Sequence, residues 1–496
     1  MVDDIGCSRA ATNRRNRLPY GVFRMASLLG SLFLMPFLGG CSGEDTQDNR
    51  PNFLFVVSDQ QHYQALGVVD AFFTTPNLDA LAGQSVFFTR AFVSSPQCSP
   101  SRSSLYTGLY PHKTGVIGNT GSIDANGNKI GQLPESLKTI GEYLKPAGYR
   151  TAYIGKWHLG EVGRHAQGYD VRHFDTFRGG DNTSDSKKSK LAMAFLAEMG
   201  QGKKQPPFAL FLNYTDPHDV YKYGGFSKDP EPVEALTQGV VLPQSYYEEV
   251  FASKPKVQSL YMERDGGRRF KDKPEDVWKT YRGFYRTKVQ QYDTELGKVI
   301  QALKDAGEWE RTIVVVTSDH GDMDTHHRLV FKGPFAYEQV IRVPLMIRVP
   351  SRFGAATPRK ENAMTVNVDI LPTILDFASL PAAVGDGASL KPLLLGTSND
   401  SGRKEVVVEY YNKQKWVHPI RVIRSDRYKY ADHLVGMDEL YDLQQDPSEI
   451  HNLVDDQGYN RVREQLSRRL GAWIDEHSDP FYQLQATNMA GEPVAP

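Results

Sequence analysis

Short apolar runs that stop abruptly at charged or imidazole residues set the rhythm of the chain from residue 51 to about residue 380. Phe53-Leu54-Phe55-Val56-Val57 runs into Asp59-Gln60, and Thr151-Ala152-Tyr153-Ile154 into Lys156 and His158. Phe208-Ala209-Leu210-Phe211-Leu212 runs into Asp216 and His218, and Thr312-Ile313-Val314-Val315-Val316 into Asp319-His320. Each run has strand length, and helical patterns separate them, which predicts an α/β domain whose large, mainly parallel sheet is sandwiched by helices. Open sheets of this kind take ligands at the carboxyl ends of their strands. Four strands that end in acids, imidazoles and an ammonium group therefore predict one convergent site at one sheet edge.

Residues 221–275 show little periodicity and read as a long excursion over the rim of that site, where loops carry specificity. A helix over 275–306 feeds the fourth strand. Beyond residue 390 the pattern changes. Val406-Val407-Val408, Ile420-Arg421-Val422-Ile423 and Tyr428-Lys429-Tyr430 predict a small antiparallel sheet, with a closing helix over 461–476. The division that follows is a catalytic α/β domain over 51–395 and a smaller C-terminal α+β subdomain over 396–496.

The amino-terminal stretch reads differently. Arg14, Arg15, Arg17 and Arg24 precede an apolar run over 26–38 that is too short to span a bilayer and fits a leader. It ends in Leu38-Gly39-Gly40-Cys41, which resembles a bacterial lipobox. We therefore expect a signal peptide over 1–40, lipidation of Cys41 and a polar tether over 41–50, giving an exported protein anchored at the cell envelope. Met25 is an alternative start that would drop part of the basic region. Of the three cysteines, Cys7 falls in the leader and Cys41 would carry lipid, so Cys98 has no thiol partner for a disulfide. Lys plus Arg number 58 against 59 Asp plus Glu, so no overall basic field attracts nucleic acid. An anionic substrate must be met locally, in a pocket.

Cys98 opens the run Cys98-Ser99-Pro100-Ser101-Arg102-Ser103-Ser104-Leu105-Tyr106-Thr107-Gly108. A lone cysteine beside proline is ordinarily a buried, inert thiol. Here the whole run matches Cys-x-Pro-x-Arg followed by Leu-x-Thr-Gly, and the chain resembles the type I (formylglycine-dependent) sulfatases of the alkaline-phosphatase-like superfamily. A second signature of that family is visible in Gly148-Tyr149-Arg150-Thr151-Ala152-Tyr153-Ile154-Gly155-Lys156-Trp157-His158-Leu159-Gly160. Asp386-Gly387-Ala388-Ser389-Leu390, Glu439-Leu440-Tyr441-Asp442-Leu443 and Asp446-Pro447 are also family-like.

The resemblance implies a sulfuric ester hydrolase. A maturation enzyme would convert Cys98 to formylglycine (3-oxoalanine), whose hydrate attacks sulfur and gives a covalent sulfo-enzyme intermediate. It implies a divalent metal, Ca2+ with Mg2+ or Mn2+ as alternatives, on Asp59, Gln60, residue 98, Asp319 and His320. Gln60 stands where many relatives carry a second aspartate, and His320 where many carry asparagine, so the ion is left open. Arg102, one turn after Cys98 on a helix, would point its guanidinium back at residue 98. Asp319 would take the proton of the nucleophile, His218 would protonate the departing alcohol, and His158 would assist release of sulfate. Lys156 and Lys332 would clamp the sulfate oxygens.

A sulfated carbohydrate is the expected substrate and partner. Phosphonate or phosphate monoesters, and aryl or choline sulfates, are the alternatives that the same site could cleave. A different class, a lipoprotein that binds sulfated glycans without turning them over, would need neither the modification signature nor two proton shuttles.

Overall fold

The computed structural model describes residues 49–494 except 125–126, 161–163, 166–167, 170–172, 201–204, 224–228, 355–356, 399–401 and 414. The expected leader and Cys41 lie outside the described residues.

Eight strands form the large sheet: β1 (Asn52–Asp59), β2 (Val86–Phe88), β3 (Arg150–Gly155), β4 (Thr176–Arg178), β5 (Phe208–Pro217), β6 (Thr312–Ser318), β7 (Leu345–Arg348) and β8 (Arg359–Glu361). Their order is β8-β2-β7-β6-β1-β5-β3-β4. The four apolar runs of the sequence are β1, β3, β5 and β6, adjacent in the middle of the sheet and mutually parallel. All eight residues of β1 are buried, which is why it reads as a continuous apolar run rather than an alternating one. The sheet is mixed because β7 runs antiparallel to both β6 and β2. The chain leaves β6 at the site edge and re-enters the sheet at that same edge, so it can only run back.

Alternate residues of the central strands feed two different cores. Phe53, Phe55 and Val57 face a layer that includes helix α1 (Cys98–Thr107), while Leu54 and Val56 face α2 (Asp185–Met199) and α3 (Glu275–Asp305). Helix α4 (Ile370–Phe377) packs on the α1 side, so the sheet is sandwiched as expected. Among the described residues no helix is long and apolar enough to cross a membrane.

Residues 221–275 are not the aperiodic excursion that the sequence suggested. They contain helices at Glu234–Thr237, Gln244–Glu248 and Lys256–Arg264. Pro243 and Pro255, which read as loop signals, stand immediately before two of these helices. Val257, Tyr261 and Met262 are buried in the core beneath. The helices are too short for a 3.6-residue period to show in sequence.

The C-terminal sheet is an antiparallel meander of β9 (Glu405–Lys413), β10 (Trp416–Ser425), β11 (Tyr428–His433) and β12 (Glu439–Asp442). The sequence showed the first three, and the four-residue β12 was too short to stand out. Helix α5 (Asn460–His477) covers one face, with Leu466, Leu470 and Ile474 against Val407, Ile423 and Leu440. The opposite face, Val406, Val408, Ile420 and Val422, joins the core that contains Tyr261, Phe331 and Tyr337. Trp416 belongs to this buried core, and His418 is buried against His433 at 3.0 Å.

Candidate active site

The ends of β1, β3, β5 and β6 bring the expected polar residues to one place because the four strands are neighbours in register. Cys98 is the first residue of α1, aimed at this edge by the helix N-terminus, and it is 1% exposed. Around its Sγ lie His320 Nε2 at 3.2 Å, Asp59 Oδ1 at 3.8 Å and Lys156 Nζ at 3.8 Å. His158 and His218 also stand beside this sulfur. Burial opposes the thiolate, but Lys156, Lys332 and His320 outweigh it and hold the Cys98 thiol well below its ordinary value.

Asp59, Asp319 and His320 are all fully buried. Together with Cys98 they place one ligand atom each within 4.8 Å of one another. His320 Nδ1 donates to the Gly321 carbonyl at 2.8 Å, which fixes the tautomer and leaves Nε2 facing Asp319 Oδ1 at 3.6 Å and Asp59 Oδ1 at 3.8 Å. Burial and the neighbouring Cys98 push the Asp59 carboxyl up, but Lys156, His218 and Arg102 overcome them and keep it below the usual range. Asp319 goes the other way: burial and Asp59 raise it. Two carboxylates in one pocket thus have their protonation driven apart.

Arg102 is fully buried, and its guanidinium is spent on this pair rather than on Cys98 itself. Nε donates to Asp319 Oδ2 at 2.8 Å and Nη2 to Asp59 Oδ2 at 3.4 Å. Nη1 donates to Asn213 Oδ1 at 3.0 Å and the Lys156 carbonyl at 3.1 Å. The expectation that it points at residue 98 is therefore corrected. The i, i+4 spacing put it on the right face, but two buried acids compete for the guanidinium and win. Lys156 Nζ ion-pairs with Asp59 Oδ2.

Gln60 sits in the left-handed backbone region with φ +75°. Its N–H donates to Asp319 Oδ1 at 3.1 Å, its Nε2 donates to Asp322 Oδ2 at 2.6 Å, and its Oε1 accepts from Lys332 Nζ. Lys332 is 6% exposed and thus also reaches the site, from the loop after β6. His218 opens a short 3-10 turn, His218–Lys222, after β5. Burial and the cationic Lys156 push its pKa down to about 4.

Sequence reasoning missed Asn213, Tyr281 and Asp322. Asn213 is a lone amide near the end of an apolar strand, and its oxygen also accepts from Tyr106 at 2.6 Å. Asp322 lies three residues after Asp319, a proximity that could have flagged it. Tyr281 is one of three tyrosines on α3 and carries no signal in the sequence.

Three comparisons bear on this arrangement. The Sulfatase family model matches residues 51–380, and the model for the N-sulphoglucosamine sulphohydrolase C-terminal region matches residues 326–476. The chain is 29% identical to the "Uncharacterized sulfatase YidJ" of Escherichia coli K12, over 88% of this chain and 89% of that protein. It is 26% identical to a delta 4,5-hexuronate-2-O-sulfatase of Bacteroides thetaiotaomicron, over 90% of this chain and 93% of that protein. The solved structure of a 2-O GAG sulfatase superposes with a TM-score of 0.75 at 25% identity, covering 88% of this chain and 95% of that one.

Proposed function

This chain belongs to the sulfatase family and is a sulfuric ester hydrolase, and on that premise we propose that it removes sulfate from a sulfated carbohydrate of glycosaminoglycan type. The observation that carries the reading is the convergence on one buried sulfur, Cys98 Sγ, of two carboxylates, three imidazoles and two ammonium groups. The similarity to a hexuronate-2-O-sulfatase and to a 2-O GAG sulfatase supports the carbohydrate assignment.

Cys98 Sγ stands for the oxygens of a formylglycine hydrate, which a maturation enzyme would make from this cysteine. A divalent cation fits Asp59, Asp319, His320 and residue 98, because His320 Nε2, two carboxylate oxygens and Sγ, all of them metal-ligand atoms, lie within 4.8 Å of one another. Gln60, expected among the ligands, touches this set through its N–H on Asp319 Oδ1, while its side-chain amide is held by Asp322 and Lys332. The largely oxygen donor set suits Ca2+ or Mg2+, and the imidazole admits Mn2+. When bound, the aldehyde hydrate supplies the nucleophile and the cation supplies charge stabilisation to the sulfuryl group.

The chain's own residues divide the remaining work. Lys156 and Lys332 bind sulfate oxygens as compact cations. Arg102 holds Asp59 and Asp319 in place and, after Lys156 and His218, helps keep Asp59 ionised. Asp319, with its raised proton affinity, takes a proton from residue 98. His158, the imidazole beside residue 98 from the β3 end, accepts the second proton there. His218 donates to the departing alcohol oxygen. It is neutral in the free enzyme, and an anionic ester placed between it and the two lysines offsets their repulsion and favours its protonated form. Export and lipid anchoring at the envelope, supported by the Leu38-Gly39-Gly40-Cys41 run, would place this site where polymeric saccharides are met.

The test is sulfate release by enzyme whose aldehyde at residue 98 has been confirmed by peptide mass. The panel holds sulfated uronic acid and hexosamine saccharides, an aryl sulfate, choline sulfate and a phosphonate ester. Turnover of a saccharide is expected. Turnover of the phosphonate ester alone would overturn the substrate assignment.

A further inference from the structure

We propose that Tyr281 and Asp322 are positioning residues that jointly hold Lys332 in the sulfate site, one through the backbone before the lysine and the other through Gln60. This rests on the reading that Lys332 binds the sulfate group. Both residues are fully buried, and neither touches Cys98. Tyr281 projects from α3, and its hydroxyl donates to the Asp322 carboxylate, at 2.8 Å from Oδ1 and 3.0 Å from Oδ2. The same hydroxyl accepts the Phe331 N–H at 3.0 Å, so the residue directly before Lys332 is tied to the same buried pair.

The second arm runs through an amide. A carboxylate only accepts, so Asp322 Oδ2 at 2.6 Å from Gln60 Nε2 fixes which way the Gln60 amide faces. The amide oxygen is then turned to Lys332 Nζ. Were the amide reversed, its NH2 would meet the lysine ammonium, donor against donor, and the lysine would have to leave. Asp322 thus acts on the lysine at one remove.

The local backbone explains why two arms are needed. Asp324, Thr325, His327, Arg328 and Phe331 all have positive φ, between +42° and +72°, and none is glycine. Non-glycine residues persist in this region only where the surroundings over-determine them. The loop that delivers Lys332 is therefore not held by its own propensities. It is held by contacts such as Phe331 N–H to Tyr281, and Phe331 stacked on Tyr221 with ring centres 3.9 Å apart.

Asp322→Asn and Tyr281→Phe, made singly and in a Lys332→Ala background, test this. Asparagine can turn its own NH2 toward Gln60, and phenylalanine keeps the ring while losing both hydrogen bonds. The readouts are the dissociation constant of inorganic sulfate by calorimetry and the separate KM and kcat for a sulfated saccharide. Each single variant is expected to weaken sulfate binding and raise KM about tenfold, a typical cost of removing an orienting partner, with kcat changed less. In the Lys332→Ala background neither should add a further loss, because the residue they act through is gone. Losses that multiply in that background would show a general structural role and overturn the proposal. If Asp322→Asn does not fold, Tyr281→Phe decides alone. Weakened sulfate binding in Lys332→Ala with none in the other two variants would sink the clamp and leave the site reading standing. Unchanged sulfate binding in Lys332→Ala itself would remove the sulfate role of the lysine, and the clamp with it.

Discussion

Among the described residues, an imidazole and two carboxylates come within 4.8 Å in two places: Asp59, Asp319 and His320 at the edge of the large sheet, and His112, Glu409 and Asp479 beneath the small one. In the second cluster every donor and acceptor has a protein partner. His112 Nδ1 donates to Glu409 Oε1 at 2.6 Å and Nε2 donates to the His477 carbonyl at 3.2 Å. Arg421 takes both oxygens of Asp479, at 2.5 and 2.8 Å. That cluster joins the α1–sheet body to the C-terminal sheet and α5, and it is a fastening. In the first cluster the outer carboxylate oxygens are held by Arg102 and Lys156, while the inner ones face His320 Nε2 and Cys98. Spacing that suits a metal is shared by both. What separates them is whether the lone pairs are already spent.

The largest effect that would sharpen this contrast belongs to Cys98. Cys98→Ala is expected to keep its fold and lose sulfatase activity by about 10³-fold or more, as removal of a nucleophile does. Substantial sulfate release by that variant would break the assignment of the first cluster as the reactive one. Next is the fastening. Arg421→Ala leaves Asp479, 6% exposed, as an uncompensated buried charge, and should cost about 3–5 kcal/mol of stability in denaturant titration. An equal loss of metal binding in that variant would erase the distinction drawn here.

A smaller effect concerns the metal itself. A chelator should lower the thermal midpoint, since cation at a hundredfold excess over its Kd stabilises by about 2.7 kcal/mol. His320→Ala should abolish most of this response and His112→Ala should retain it; the reverse result would exchange the two clusters. The smallest effect is the pH dependence of the fastening. Burial lowers the His112 pKa, but its bonds to Glu409 prevail and raise it above the ordinary imidazole value. The raised value means that the stability contributed by the protonated ring is complete below about pH 6.5 and is lost as pH rises through the folded-state value. The stability gap between the native protein and His112→Asn should therefore be widest, about 1.5 kcal/mol, in mild acid and close in alkali. A gap that is constant with pH would show that the ring acts there by packing alone.

Much of the fold could be read from residue order. The runs at 53–57, 151–154, 208–212 and 312–316 are doubly buried parallel strands, and such strands must be apolar throughout, so each announces itself. Their polar ends mark the catalytic edge for the same reason. The short helices at 244–248 and 256–264 were illegible because the prolines before them mimic loop signals and they are too short for a 3.6-residue pattern to repeat clearly. The direction of Arg102 was misjudged because spacing along α1 gives a face but not a partner.

Sequence alone determined the identity of the chemical groups and the strand ends that carry them, since a motif and a hydrophobic run are local properties. Tertiary structure alone decided how those groups share their protons and lone pairs. Whether Gln60 faces Lys332, whether Arg102 serves Asp319 or residue 98, and whether a His-carboxylate cluster is fastened or open depend on Tyr281, Asp322, Asn213 and Arg421. Each of these lies far along the chain from at least one of the groups it controls. The energies concerned are those of buried charges and hydrogen bonds, which depend on every neighbour in three dimensions.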